Sequence, residues 1–160
     1  MTVDFTSLSW KDRGALGAGV LATILSFFPA YISVSFSGGD ALPGMSVSSG
    51  ASAWHSFATL GILLVIAATA LVGFKAFAKD QLPTGVPWNL VIAGVAALGT
   101  LLLILRPFTV GGGGFGASVG PGWSAWLLFL AAIALTTFAT LQFTESGEKL
   151  PAMKLKKDPA

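Results

Sequence analysis

Four stretches of the chain run apolar with no acidic residue and no lysine, at positions 14–34, 54–74, 87–108 and 122–143. Each can cross a bilayer as a helix, because a hydrocarbon core about 30 Å thick is spanned by about 20 residues rising about 1.5 Å apiece. The breaks between them differ in kind. Residues 35–53 and 109–121 are rich in Pro, Gly and Ser, whereas 75–86 is a short polar turn. The pattern predicts an all-α integral membrane protein whose four transmembrane helices form two tandem hairpins. The first hairpin covers 14–74 with its outer loop at 35–53, and the second covers 87–143 with its outer loop at 109–121. Residues 1–13 form an N-terminal segment, 75–86 a connecting turn and 144–160 a basic tail, all three cytoplasmic.

The orientation comes from the cations. Lys11, Arg13, Lys75, Lys79, Lys149, Lys154, Lys156 and Lys157 fall on one side of the predicted spans and only Arg106 on the other. Short loops rich in Lys and Arg stay in the cytoplasm, so both termini are expected inside and both Gly-rich loops outside. A signal-peptide reading, with Lys11 and Arg13 before an apolar run and Ala51-Ser52-Ala53 as the cleavage site, fails on length: the run exceeds a typical apolar core and the small-residue triplet lies well beyond it.

Composition narrows the function classes. The chain has 160 residues, 54% hydrophobic and 10% charged, with a mean hydropathy of +0.79. A soluble domain carries about a quarter of its residues charged, so a water-exposed monomer is excluded. Nine Lys and Arg residues without a cluster on one structured face exclude a nucleic-acid partner. The absence of cysteine removes disulfides, thiolate nucleophiles and Cys-based metal sites.

The two predicted hairpins read as one unit written twice. Trp10 precedes Pro29, and Trp88 precedes Pro107, by the same 19 residues. A β-branched stretch, glycines and Ser-Ala-Trp then come in both halves, at Ser52-Ala53-Trp54 and Ser124-Ala125-Trp126. An internal repeat of this kind relates its halves by an axis along the membrane normal. Trp10, Trp54, Trp88 and Trp126 each start a span, where indole rings settle at the headgroup level and act as interfacial anchors. Small residues four apart (Gly14, Ala18, Ala22 and Ser26; Ala93 and Ala97; Ala132, Thr136 and Thr140) suit close helix packing, with Thr136 and Thr140 bonding back to their own helix.

Candidates for chemistry are few. His55 is the lone histidine, next to Trp54, and without a second ligand it makes no metal site; an interfacial contact is the simpler role. Arg106 is the single outer cation and either snorkels to the headgroups or pairs with Asp40, the single outer acid. Arg106, Asp40 and His55 are therefore the candidate outer-face contacts. The G-x-G-x-x-G at Gly111, Gly113 and Gly116 lacks the strand, helix and acid of a dinucleotide site and reads as a loop. The tail, with a net charge of only +1 from 145 to 160, suits the inner leaflet surface. No catalytic residues, cofactor-binding residues or metal ligands can be assembled, and no span carries a buried Asp, Glu, Lys or His of the kind that relays protons.

With those residues in view, the chain resembles the small four-helix integral membrane proteins common in actinobacteria, a group without an assigned function. The likeness rests on Ser26-Phe27-Phe28-Pro29-Ala30-Tyr31, on Ser52-Ala53-Trp54, on the Leu82-Pro83 to Pro87-Trp88 approach to the third span, and on Glu145-Ser146-Gly147. Relatives often carry Trp where Ala30 stands and Asp where His55 stands. The resemblance implies a multi-pass protein of a bacterial plasma membrane. The favoured expectation is a non-catalytic protein and not an enzyme: a scaffold or accessory subunit of a membrane assembly, or a small homo-oligomer. Its partners would be membrane lipids and either other membrane protein subunits or itself, with no cofactor. The alternative is a small oligomeric permease or channel.

Overall fold

A computed structural model describes residues 4–38, 43–44, 46–111 and 116–150. Four helices carry the architecture: α1 (Trp10–Ser26), α2 (Phe57–Phe77), α3 (Trp88–Thr109) and α4 (Trp123–Ser146). They stand in a ring in which α1 touches α2 and α4, and α3 touches α2 and α4. The broadest contacts join α1 to α4 and α2 to α3, so the tightest pairs do not belong to a single predicted hairpin.

Three of the helices, α2, α3 and α4, are long and apolar enough to cross a membrane. The fourth, α1, is shorter, at 17 residues. Its start is set by Ser9, whose hydroxyl accepts from Asp12 N at 3.1 Å and donates to the Asp12 carboxylate at 2.6 Å, a reciprocal N-terminal cap. Its end corrects the sequence reading, which carries the first span to residue 34. Phe27 N and Phe28 N close a tight final turn onto Ile24 O and Leu25 O. Pro29 then stops the helix, since it disfavours a helical Phe28 and brings no N–H.

Beyond Pro29 the all-α expectation is corrected as well. The segments expected as outer loops fold into an antiparallel three-stranded sheet of β1 (Ile32–Ser37), β2 (Ser46–Ala51) and β3 (Ala117–Pro121), in the order β2-β1-β3. Central β1 thus takes one neighbour from each half of the chain. Alternation sorts its faces. Val34 lies opposite Ser49 and Val119, and Phe36 opposite Val47 and Ala117, while Ser33 and Ser35 lie opposite Gly50 and Ser48 on one side and Gly120 and Ser118 on the other. Val34 and Val119 rest against the bundle core, whereas Phe36 and Val47 at the far tip are exposed. The sheet therefore stands on one end of the bundle, its Ile32, Ala51 and Pro121 row nearest the helices.

The core between the helices is filled by small and branched residues, including Ala15, Ala22, Ile62, Val65, Ile92, Ala96, Leu103, Leu128 and Leu135. Gly61 and Gly99 bring α2 and α3 into backbone contact: a Cβ on Gly61 would lie 3.0 Å from Gly99 O, and one on Gly99 2.9 Å from Gly61 O. The packing stripes shift from the predicted ones. Ala22 and Ser26 are buried as expected, but Ala97 and Thr140 are exposed, and Ala96, Gly99, Leu135 and Ala139 face inward in their place. The halves also differ at their prolines. Pro29 comes after α1, whereas Pro107 lies inside α3.

Candidate functional site

The end of the bundle away from the sheet gathers side chains that sequence reasoning did not connect. Lys75, expected as the first residue of the cytoplasmic turn, lies within the last turn of α2 and is half-buried. Asn89 sits in the first turn of α3 and Gln142 near the end of α4, both buried. Gly147 ends α4 in the left-handed conformation that glycine adopts at little cost, and the chain turns so that Glu148 reaches the start of α3. That helix needs an outside acceptor, because Pro87 at its cap position offers no side-chain bond. Glu148 accepts from Leu90 N at 3.1 Å, from Asn89 N at 3.4 Å and from Asn89 Nδ2 at 2.8 Å. A carboxylate at a helix N-terminus also meets the positive end of the helix dipole.

The network fixes its own polarity. A carboxylate only accepts and an ammonium only donates, so Asn89 turns its NH2 to Glu148 and its Oδ1 to Lys75. Lys75 donates to Asn89 Oδ1 and, at 2.8 Å, to Gln142 Oε1. This orients the Gln142 amide and leaves its Nε2 buried with no partner. Beside it, α1 and α4 are tied by a salt bridge from Lys11 to Glu145. A cavity of about 360 Å³ opens among these groups, lined by Ser9, Lys11, Asp12, Lys75, Gln142 and Glu145 together with Trp10, Asn89 and Ser146. The expected span ends at residue 74, whereas α2 runs to Phe77 and so carries the half-buried Lys75 in its last turn.

The sheet end is built differently. Tyr31 is fully buried and donates its hydroxyl to Leu103 O. That carbonyl lacks its ordinary helical partner because the residue four positions on is Pro107, which has no N–H. Trp54 Nε1 donates to Ser26 Oγ at 3.1 Å, and the indole stacks on Phe27 at 5.2 Å. Gly50 and Gly122 press directly against the Pro29 and Ala30 carbonyls, with no room for a Cβ.

Of the outer-face candidates, Arg106 is half-buried, with its guanidinium 5.4 Å from the centre of the Phe57 ring and its Nε buried without a partner. His55 is exposed, its Nδ1 3.3 Å from Ser52 O. Asp40 lies outside the described residues, and with it the expected pair with Arg106. Trp10 and Trp88 open α1 and α3, Trp54 precedes α2, and Trp126 lies one turn inside α4 after Trp123. Trp10 and Trp126 are exposed, and Trp88 Nε1 donates to Pro83 O at 3.1 Å.

Halfway along the bundle, α3 and α4 flank an apolar groove of about 430 Å³ that includes Leu101, Ile104 and Ile133. Its hydroxyls are engaged by the backbone. Thr136 and Thr140 bond to Ala132 O and Thr136 O at 3.0 and 2.8 Å, as expected, and Thr100 bonds to Ala132 O at 3.1 Å. Among the described residues no group of three His, Cys, Asp or Glu side chains is placed to hold a metal ion. The arrangement at the polar end can orient and bind a polar group by hydrogen bonds and charge. No family model matches the chain, and no curated protein matches it.

Proposed function

We propose that the chain is a four-span, non-catalytic membrane protein of a bacterial plasma membrane, with both termini cytoplasmic, serving as a scaffold or accessory subunit or as a small homo-oligomer. The observation that carries this reading is the apolar outside of the bundle. Val20, Leu21 and Ile24 on α1, Leu60 and Leu63 on α2, Leu98 and Leu101 on α3, and Leu127 and Leu130 on α4 are all exposed. A soluble bundle would cover such faces with charge, and here they continue around all four helices, which supports immersion in lipid or burial against partner subunits. The short α1 fits the same reading. Its 17 residues rise about 25 Å, and the exposed Phe27 and Phe28 extend its apolar band.

In this orientation the sheet faces outward and the Lys75 network faces the cytoplasm. The likeness to the actinobacterial four-helix group belongs to the same proposal. A pore is the less favoured reading, because the mid-depth hydroxyls are held by backbone carbonyls and the groove they flank is apolar. Purification in mild detergent followed by native mass measurement tests the proposal. A complex with other subunits, or a homo-oligomer that keeps liposomes sealed, supports it. A closed homo-oligomer that leaks ions from liposomes overturns it.

A further inference from the structure

We propose that the cavity at the polar end binds a headgroup carrying both a phosphate and a primary amine, the chemistry of an aminophospholipid of the inner leaflet. The first ground is an unfilled donor. Gln142 is only 9% exposed, it lines the cavity, and its Nε2 has no partner because Lys75 holds the opposite side of the amide. A buried N–H left without an acceptor is costly, and a bound oxygen would satisfy it. The second ground is the Lys75 ammonium beside it. It has three protons, and its two hydrogen bonds to Asn89 and Gln142 leave one for a ligand. Both residues line the same cavity, so a phosphate oxygen bound there can draw on two donors.

The third ground is the balance of charge around the cavity. Lys11 and Lys75 line it together with Asp12 and Glu145, two cations against two carboxylates. A purely anionic headgroup would meet both carboxylates, whereas a dipolar one sets its phosphate toward Lys75 and Gln142 and its ammonium toward Asp12 and Glu145. A primary ammonium can donate hydrogen bonds to those carboxylates and a quaternary one cannot. The exposed Trp10 at the rim is the kind of side chain that settles among headgroups. This inference rests on the membrane-spanning reading for the source of its ligand but not for the chemistry of the cavity.

The test uses the full chain in detergent, with native mass spectrometry of retained phosphatidylethanolamine, phosphatidylcholine and phosphatidylglycerol of matched acyl chains, and calorimetry with soluble O-phosphoethanolamine. Phosphatidylethanolamine is expected to be retained about tenfold over the other two, a preference that Gln142→Glu abolishes by turning the free donor into an acceptor while keeping the bond to Lys75. Asp12→Asn should reduce discrimination between the primary and quaternary amines while leaving phosphate recognition in place. Binding of O-phosphoethanolamine that depends on Gln142, without retention of the lipid, would assign the site to a soluble ligand of the same chemistry. Equal retention of the three lipids with no binding of O-phosphoethanolamine, or a preference that survives Gln142→Glu, overturns the proposal. Alkaline carbonate extraction of the chain from membranes would count against the spanning reading alone, since the calorimetric arm reads the cavity without a bilayer.

Discussion

At the sheet end, the helix termini are finished by backbone. Ala53 N donates to Ser26 O at the end of α1, the Tyr31 hydroxyl serves the Leu103 carbonyl that Pro107 leaves open, and Gly50 and Gly122 pack against the Pro29 and Ala30 carbonyls. At the opposite end the same task falls to long side chains: Glu148 caps α3, and Lys75 joins α2, α3 and α4 through two amides. The contrast has physical consequences. Backbone contacts are short-range and rigid, so a single added carbon disrupts them. A side-chain network is adjustable, holds charge, and can leave a donor such as Gln142 Nε2 available to something else. The difference makes the polar end the better candidate for recognition and the sheet end the better candidate for a fixed cap on the bundle.

Substitutions can break that comparison, and the largest effect is expected at the sheet end. Gly122→Ala places a carbon against the Ala30 carbonyl and should destabilise the fold by about 2–3 kcal/mol in thermal unfolding, since overpacking a backbone contact cannot be relieved by a rotamer. Gly120→Ala is its control: nothing lies within 4 Å of the added carbon, so little change is expected. Tyr31→Phe comes next. It leaves Leu103 O buried and unpaired, a loss of about 1–3 kcal/mol. In a Pro107→Ala background the restored N–H can serve that carbonyl, so the cost of Tyr31→Phe should fall by about half or more in a double-mutant cycle.

The polar end should respond less. Glu148→Ala removes the cap of α3 and is expected to cost about 1 kcal/mol, with faster hydrogen exchange at the Leu90 amide as its local signature. The smallest effect belongs to Lys11→Met. Its partner Glu145 is 63% exposed, so the loss should stay below about 1 kcal/mol and shrink further in high salt.

Much of the helical frame was legible from hydropathy, because a lipid-facing helix must be apolar along its whole length. The predicted spans at 54–74, 87–108 and 122–143 each lie within three residues of α2, α3 and α4. The first span was overextended for the same reason: apolar residues continue past Pro29 into Ile32-Ser33-Val34, and hydropathy does not register that their period has changed from helix to strand. The Ser and Gly content of 46–51 and 117–121 resembled loop, and no local signal announces that β1 pairs with a strand more than 80 residues away. Asn89 and Gln142 were overlooked because an isolated amide in an apolar run looks incidental until its partners are known. Each is the only carboxamide on its helix, and that rarity is the signal that could have found them.

The two-ended account rests on the ends lying on opposite sides of a membrane, and cysteine accessibility in intact cells measures this directly. Ser48 and Ser118 lie exposed on the sheet, and Ser146 lies exposed at the end of α4. Cysteines at Ser48 and Ser118 should react with a membrane-impermeant maleimide from outside, and a cysteine at Ser146 should react only after the cells are opened. Labelling of all three from outside, or of Ser146 alone, would contradict the account.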